Sequence, residues 1–367
     1  MNIASLRLHN QQILNSTLTS PEEAVKWFGA VQAQEYLFSL WALGLRIPGS
    51  TEESVKQAII DRKIIRTWPM RGTIHYVPAE DARWMTALTA KRVNQKFRNQ
   101  LEKMGLPHVT VEAARPLLIN TLKNGEHLTR AELYDVLDTI HVPRNLGLFI
   151  LGYWAQEGLL CFGIPRGKQP TFTLLDTWAP EQRKLTTKEA LNELTQRYFQ
   201  SHGPATMHDF AWWSGLTIAE VKQGIELAGD FLTHQQHEGK RYFTATSFST
   251  QSTPASGCLL LPCFDEYTVS YKDRSAAVDS DDLVSYGYGV NWNNIIINGR
   301  IAGAWKRTIK PKEVILELRP VRELSEKEIS QLSKKAAVFG SFVNLPASVT
   351  ITKPNSFATP PSPRAHA

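Results

Sequence analysis

The sequence predicts an α+β chain built as three tandem winged helix-turn-helix units followed by a C-terminal antiparallel, β-barrel-like domain. Three observations carry that expectation. The order helix, helix, helix, β-hairpin runs over residues 112–175 and again over 187–246, two stretches of matching length. A degenerate version of the same order occupies 18–80. From residue 256 the pattern changes to short apolar runs broken by Gly, Asn and Asp, as a small antiparallel sheet requires. The boundaries follow at 1–110, 111–180, 181–250 and 251–353, and a Pro/Ser-rich tail at 354–367 is expected to be disordered.

In the first unit, Ser20-Pro21-Glu22-Glu23 joins an N-cap serine, a proline at the first helical position and a capping-box glutamate. Apolar Ala24, Trp27, Phe28 and Val31 continue as a helical stripe. SVKQAIIDRK predicts a second helix, and IIRTWPMRGTIHYV a hairpin around Pro69 and Gly72. The second unit reads EAARPLLINTLKN, then LTRAELYDVLDTI with a capping box at Thr129 and Glu132, then LGLFILGYWAQEG ending at Gly158. Its wing, LLCFGIPRGKQPTFTLL, carries Arg166 and Lys168 at the tip. The third unit reads KEALNELTQRYFQSHG, TMHDFAWWSGL and TIAEVKQGIELAG, the last opened by Thr217 and Glu220, with FLTHQQHEGKRYFTA as wing. Trp212 and Trp213 are expected in its core. Beyond it, SGCLLLPCF, DLVSYGYGV, NNIIINGRIAGAWKR and KEVILELRPV predict strands, with a hairpin at Asn298-Gly299 and one helix at SEKEISQLSKKAAVFG.

A chain of 367 residues suits two to three domains, and 42% apolar with 21% charged residues is ordinary for a globular protein. The N-terminus lacks the apolar stretch of a signal peptide, and no run approaches the roughly 18 residues of a membrane span. Cys161, Cys258 and Cys263 are too few for a disulfide framework and lack zinc spacing. A reducing, cytoplasmic location is expected. The charge is placed unevenly: residues 61–100 hold nine Lys/Arg, among them Arg66, Arg71, Lys91 and Arg92, against three acids. That segment alone accounts for the net +6 of the whole chain. Interleaved with Trp68, Tyr76, Trp84 and Phe97, it fits either a polyanion with stackable faces or a solvated helix face.

No phosphate-binding loop, dinucleotide fingerprint, zinc-protease helix or nucleophile elbow is present. His141-Val142-Pro143-Arg144 reads as a turn. Asp265, Glu266, Asp273, Asp279, Asp281 and Asp282 have no calcium-loop spacing, so neither metal nor cofactor is expected. Several winged units in one chain favour double-stranded DNA as partner, with Arg and Lys on phosphates, although winged folds also mediate protein contacts. Units in cis lessen the need for a second copy, so a monomer is expected.

One stretch resists a structural explanation. In GAVQAQEY, residues 29–36, Gln32 and Gln34 stand where the helical stripe calls for an apolar residue. In a helix their side chains would diverge by about 200°; in an extended segment they share a direction. The helix is therefore expected to end near Val31, with both amides converging from a loop. The rival reading is a polar helix end with both amides in solvent.

VQAQ at 31–34, RTWPMRGTIHYVPAED at 66–81, LLPCFDEYTVSYKDRS at 260–275 and NGRIAGAWKR at 298–307 resemble the bacterial winged-helix DNA glycosylases of the AlkZ and YcaQ group. That resemblance spans nearly the whole chain. It implies three winged helices, a C-terminal β-barrel, and excision of bulky N-alkylated purines including interstrand crosslinks. It places the family's motif glutamines on Gln32 and Gln34, in the QxQ form of the AlkZ-like branch. Amides suit such a reaction. An N7- or N3-alkylated purine is already cationic and leaves without a general acid, so what remains is to place a water beneath C1′. Arg71, His75 and Tyr76 on the first hairpin are candidates to contact DNA near the lesion. Arg66, Lys91, Arg92, Arg144, Arg166 and Lys168 supply further basic contacts, and Arg274, Arg300, Lys306 and Arg307 extend the phosphate track. No lysine stands out as a Schiff-base nucleophile, which points to monofunctional hydrolysis, with the enzyme associated with the nucleoid when bound to DNA. The alternative is a non-catalytic winged-helix DNA-binding regulator, which would bind a specific sequence and release no base.

Overall fold

The computed structural model describes residues 1–248, 255–278 and 292–354. The strand expected in DLVSYGYGV, the acids Asp279, Asp281 and Asp282, and the tail from 355 lie outside the described residues.

The first part holds α1 (Ile3–Asn10), α2 (Pro21–Phe28), β1 (Val31–Gln32), α3 (Tyr36–Gly44), α4 (Glu52–Ile60), β2 (Ile64–Met70), β3 (Thr73–Pro78) and α5 (Ala82–Lys103). Ser20 caps α2 as the sequence predicts, accepting from the Glu23 N–H at 3.3 Å, but the Glu23 carboxylate turns to Thr19. The helix stops at Phe28, short of Val31, because Gly29 takes φ 77° and leaves the helical path. Val31 and Gln32 then join the hairpin as a third strand, in the order β1-β3-β2.

The same sequence of elements returns in α6 (His108–Leu122), β4 (Leu128–Thr129), α7 (Arg130–Asp138), α8 (Arg144–Gln156), β5 (Leu160–Phe162) and β6 (Thr171–Leu174), with sheet order β4-β6-β5. A short helix α9 (Leu175–Trp178) leads on. The order returns again in α10 (Thr187–His202), α11 (Met207–Ser214), α12 (Ile218–Ala228), β7 (Leu232–His237) and β8 (Lys240–Ala245), where a single bridge from Ala205 to Phe243 replaces the first strand. The capping boxes at Thr129/Glu132 and Thr217/Glu220 form as expected. In the second copy β4 runs straight into its capped helix. In the first copy Ala33, Gln34 and Glu35 intervene, and α3 begins with no side-chain cap. Trp213 is fully buried as expected, whereas Trp212, a fraction of a helical turn away, is 45% exposed.

The C-terminal part comprises β9 (Cys258–Leu261), α13 (Glu266–Val269), β10 (Asn294–Ile297), β11 (Arg300–Ile309), β12 (Val314–Pro320), α14 (Glu326–Phe342) and β13 (Ala347–Ile351). Asn298 and Gly299 both take positive φ, 52° and 82°, the twist a two-residue hairpin needs. The expected barrel is not what these strands form. Among the described residues the sheet is open, in the order β13-β12-β11-β10-β9, and β12 and β13 run parallel because the α14 crossover reverses direction between them. One face is covered instead by helices: Trp41 of α3 and Phe339 of α14 pack edge-on at 5.1 Å, beside Trp305 of β11. The result is a mixed α+β fold.

The sheet β1-β3-β2 lies between two cores. Val31, Ile64 and Tyr76 face the C-terminal sheet, while Ile65 and Val77 face Tyr198 and Trp213 of the third copy. The joint with the C-terminal part is fixed by a fully buried ion pair, in which Arg46 donates to both oxygens of Asp265 at 2.8 and 2.9 Å. Removing one partner strands the other charge in the interior. Asp265→Asn or Arg46→Met alone is expected to lose about 3–5 kcal/mol in urea unfolding. The double Arg46→Met/Asp265→Leu should lose less than either single change.

Candidate active site

Gln32 lies on the edge strand β1, opposite His75 on β3. The next amide, Ala33 N–H, donates to the Ile74 carbonyl at 2.8 Å, so the Gln32 N–H points away from the sheet. It donates instead to Glu266 Oε1 at 2.6 Å. Gln32 and His75 are thus a non-hydrogen-bonded pair, the register in which opposed side chains share a face and come closest. Gln32 is 7% exposed, and its carboxamide makes no hydrogen bond among the described residues. Gln34 is exposed, and its Oε1 accepts from the Ile74 N–H at 3.4 Å. The Ala33 carbonyl between them is clamped by Arg66, through Nε at 3.1 Å and Nη2 at 2.9 Å. The QxQ stretch is therefore extended and held from both sides, and the alternative of a polar helix end does not apply.

Glu266 comes from the first turn of α13 and is almost completely buried. Its Oε2 accepts from His202 Nε2 at 3.2 Å, Trp213 Nε1 at 3.0 Å and the Ser270 hydroxyl. Burial alone would push this carboxyl up; hydrogen bonding from His202 and the positive potential of its neighbours outweigh burial and hold it near 2. It is an ionised carboxylate locked behind Gln32. His75 is fully buried, with Nδ1 3.0 Å from the Thr73 carbonyl and Nε2 without a partner. Burial, aided by nearby Arg71, lowers its pKa to about 4 against the pull of Glu266. Arg71 sits at the hairpin tip with φ 55°, donates through Nη1 to the Trp212 carbonyl at 3.3 Å, and keeps Nε and Nη2 buried without an acceptor.

A sequence model of the family described as "DNA glycosylase AlkZ-like" matches residues 25–342. The chain belongs to the AlkZ-like DNA glycosylase family. It is 26% identical over 356 residues to a Streptomyces sahachiroi protein named interstrand DNA cross-link repair glycosylase, across 90% of this chain and 95% of the relative. The solved structure of Streptomyces sahachiroi DNA glycosylase AlkZ shares the fold, with a TM-score of 0.75 at 24% identity, covering 95% of this chain and 98% of that one.

In this AlkZ-like chain the remaining sequence candidates are dispersed. Three expected DNA contacts are withdrawn into the interior. Tyr76 is buried and its hydroxyl accepts from Ser39 at 3.1 Å; His75 faces inward; Arg66 is held under the Phe162 ring at 4.2 Å. The cause is that both faces of their sheet are covered by cores. Arg71, Arg92 and Arg274 gather around the end of α11: Arg71 on the Trp212 carbonyl, Arg92 on that of Gly215 at 3.4 Å, and Arg274 over the Trp212 ring at 5.7 Å. Arg92 also pairs with Glu220 at 2.7 Å, Arg144 with Asp135, Arg166 with Glu132 and Lys306 with Glu317. Arg307 lies against Phe38 at 4.5 Å, Arg300 reaches the Ser275 carbonyl at 3.4 Å, and Lys91 and Lys168 are exposed. Among the described residues no His, Cys, Asp and Glu side chains gather as a metal-binding group, and no helix is long and apolar enough to cross a membrane. Sequence reasoning missed Glu266 and His202. The available signal was an acidic pair placed directly after the apolar run CLLLPCF.

His75 and His202 are both held below their ordinary value by burial. The unfolded chain takes up these protons near pH 6.5, the folded one only below, so stability falls as pH drops through that window. For His75, held at about 4, this corresponds to roughly 3 kcal/mol lost between pH 6.5 and 4. Urea midpoints at pH 7, 5.5 and 4.5 should fall in that order. His75→Gln should flatten the trend by about one proton.

Proposed function

We propose that this chain hydrolyses the N-glycosidic bond of cationic N7- or N3-alkylated purines in double-stranded DNA, with a water oriented by Gln32 and Gln34. The observation that carries this reading is the extended amide pair itself. The backbone that carries these two neutral side chains is fixed by a buried carboxylate on the Gln32 N–H and a buried guanidinium on the Ala33 carbonyl. Such a site suits a reaction whose leaving group departs unaided. Gln34 turns its oxygen toward Ile74, which leaves its NH2 outward, so Gln32 is the better acceptor for a water proton. The anionic Glu266 adds negative potential where the sugar becomes positive in the transition state.

The three repeated units are read as winged helices that grip the duplex, with Arg71, Arg92 and Arg274 as a basic cluster at the end of α11. The name of the Streptomyces sahachiroi relative extends the proposed substrates to interstrand crosslinks. With the amides on an edge strand, an open cleft accommodates such bulk better than a closed pocket does. Monofunctional action as a monomer completes the reading; family membership speaks against a regulator without catalysis.

Release of free base from a duplex carrying N7-methylguanine tests it. Gln32→Ala is expected to slow release by about 100-fold or more, and Gln34→Ala by less. Equal rates in all three proteins would remove the glutamines from catalysis, and uracil released as fast as N7-methylguanine would remove the charged-leaving-group argument. In the same duplex, Arg71→Ala or Arg274→Ala should each reduce the slope of log affinity against log salt by about one. An unchanged slope takes that arginine out of the footprint.

A further inference from the structure

His75 was expected on the DNA surface, and the fold instead buries it directly beside Gln32. Its two ring nitrogens have unequal surroundings. Nδ1 lies 3.0 Å from the Thr73 carbonyl, which only accepts, so Nδ1 carries the proton of the neutral ring. Nε2 is left as a bare lone pair, buried and unpartnered among the described residues. An acceptor left unmet in the interior is destabilising, which calls for an explanation.

The register supplies one. In a non-hydrogen-bonded antiparallel pair the opposed Cβ atoms lie roughly 4.5–5.5 Å apart on one face. The Gln32 carboxamide there offers two donors and is itself without a hydrogen bond among the described residues. A free carboxamide also has no preference for which end faces outward. With NH2 outward it would donate to the water, the wrong polarity for raising nucleophilicity; with oxygen outward it accepts the water's proton. We propose that His75 is a positioning residue whose Nε2 accepts a hydrogen bond from the Gln32 NH2 when substrate is bound, turning the Gln32 oxygen toward the water.

The other groups facing the imidazole are Arg71 at the hairpin tip, Glu266 from α13 and Thr67, its neighbour on β2. Glu266 is an acceptor and is occupied by Gln32, His202, Trp213 and Ser270. Arg71 directs Nη1 at the Trp212 carbonyl. Thr67 Oγ1 and the Nε and Nη2 of Arg71 are unpartnered and are the rival donors. Of these donors only Gln32 also reaches the reacting water in the proposed mechanism. Burial keeps the ring neutral, so the lone pair is available throughout the physiological range.

This inference rests on the reading of Gln32 as the water-orienting group, and a double-mutant cycle separates the two. Single-turnover release of N7-methylguanine is measured for wild type, Gln32→Ala, His75→Ala and the double variant, with DNA affinity measured in parallel. His75→Ala is expected to slow release roughly 10- to 100-fold with affinity unchanged, and to add nothing on the Gln32→Ala background. His75→Gln, whose amide oxygen accepts, should recover much of the loss, and Thr67→Val should behave as wild type. Multiplying losses in the double variant, or wild-type release by His75→Ala, overturns the proposal. If Gln32→Ala is itself as fast as wild type, the water-orienting reading fails before His75 is considered. Should His75→Ala not fold, the other two variants decide: His75→Gln near wild type with Thr67→Val unchanged supports the assignment. A Thr67→Val loss exceeding that of His75→Gln assigns the lone pair to Thr67 instead and overturns it.

Discussion

An edge strand leaves every second backbone amide pointing away from its sheet, and here the outward N–H of Gln32 is met by a buried carboxylate. The rest of the arrangement depends on that contact. Glu266 belongs to the C-terminal part, its other oxygen is held by His202 and Trp213 of the third copy, and its partner belongs to the first. Burying an anion is expensive unless its lone pairs are filled, and four donors from different parts of the chain fill these. Neighbouring Asp265, bonded to Arg46, locks the same segment against α3. The amide pair therefore takes its geometry from the whole assembly and from no single copy.

Much of the fold was legible because its signals are local. Capping boxes at Thr129 and Thr217, the Asn298-Gly299 turn and the 64–78 hairpin depend on neighbours in sequence and formed where expected. The apolar stripe through Val31 overruns the end of α2, because the backbone of Gly29 ends the helix whatever follows it. A barrel and an open sheet are alike in sequence, because apolar strands do not say what covers them, and here α3 and α14 do. Strand β13 has an exposed, alternating pattern and gave little signal.

The site was legible only in part. The two-residue period of Gln32 and Gln34 correctly indicated an extended segment, since it follows from backbone geometry alone. The contact between Gln32 and Glu266 joins residues 234 positions apart, beyond any local pattern. A count of basic residues also cannot tell a surface cation from one turned inward: Arg66 and Arg71 belong to the same positive run as Lys91, yet the first clamps a carbonyl and the last meets solvent. Trp212 and Trp213 make the same point for aromatics, being adjacent in sequence and opposite in burial.

The three copies share an order of elements but differ at one joint. Where the second copy passes from strand to helix through Thr129, and the third starts its helix at Thr206, each with a capping box, the first inserts Ala33, Gln34 and Glu35 and leaves α3 uncapped. A cap contributes about 1 kcal/mol, so the first copy has given up a small, dispensable stabilisation at the spot where its amides emerge. On the proposed assignment of Gln32 and Gln34, reactivity in this chain is a broken symmetry. Two copies keep the regular joint and serve as scaffold, while the irregular one is free to diverge. Changes of chemistry between related enzymes can then accumulate in a three-residue connection, with the repeated architecture inherited intact.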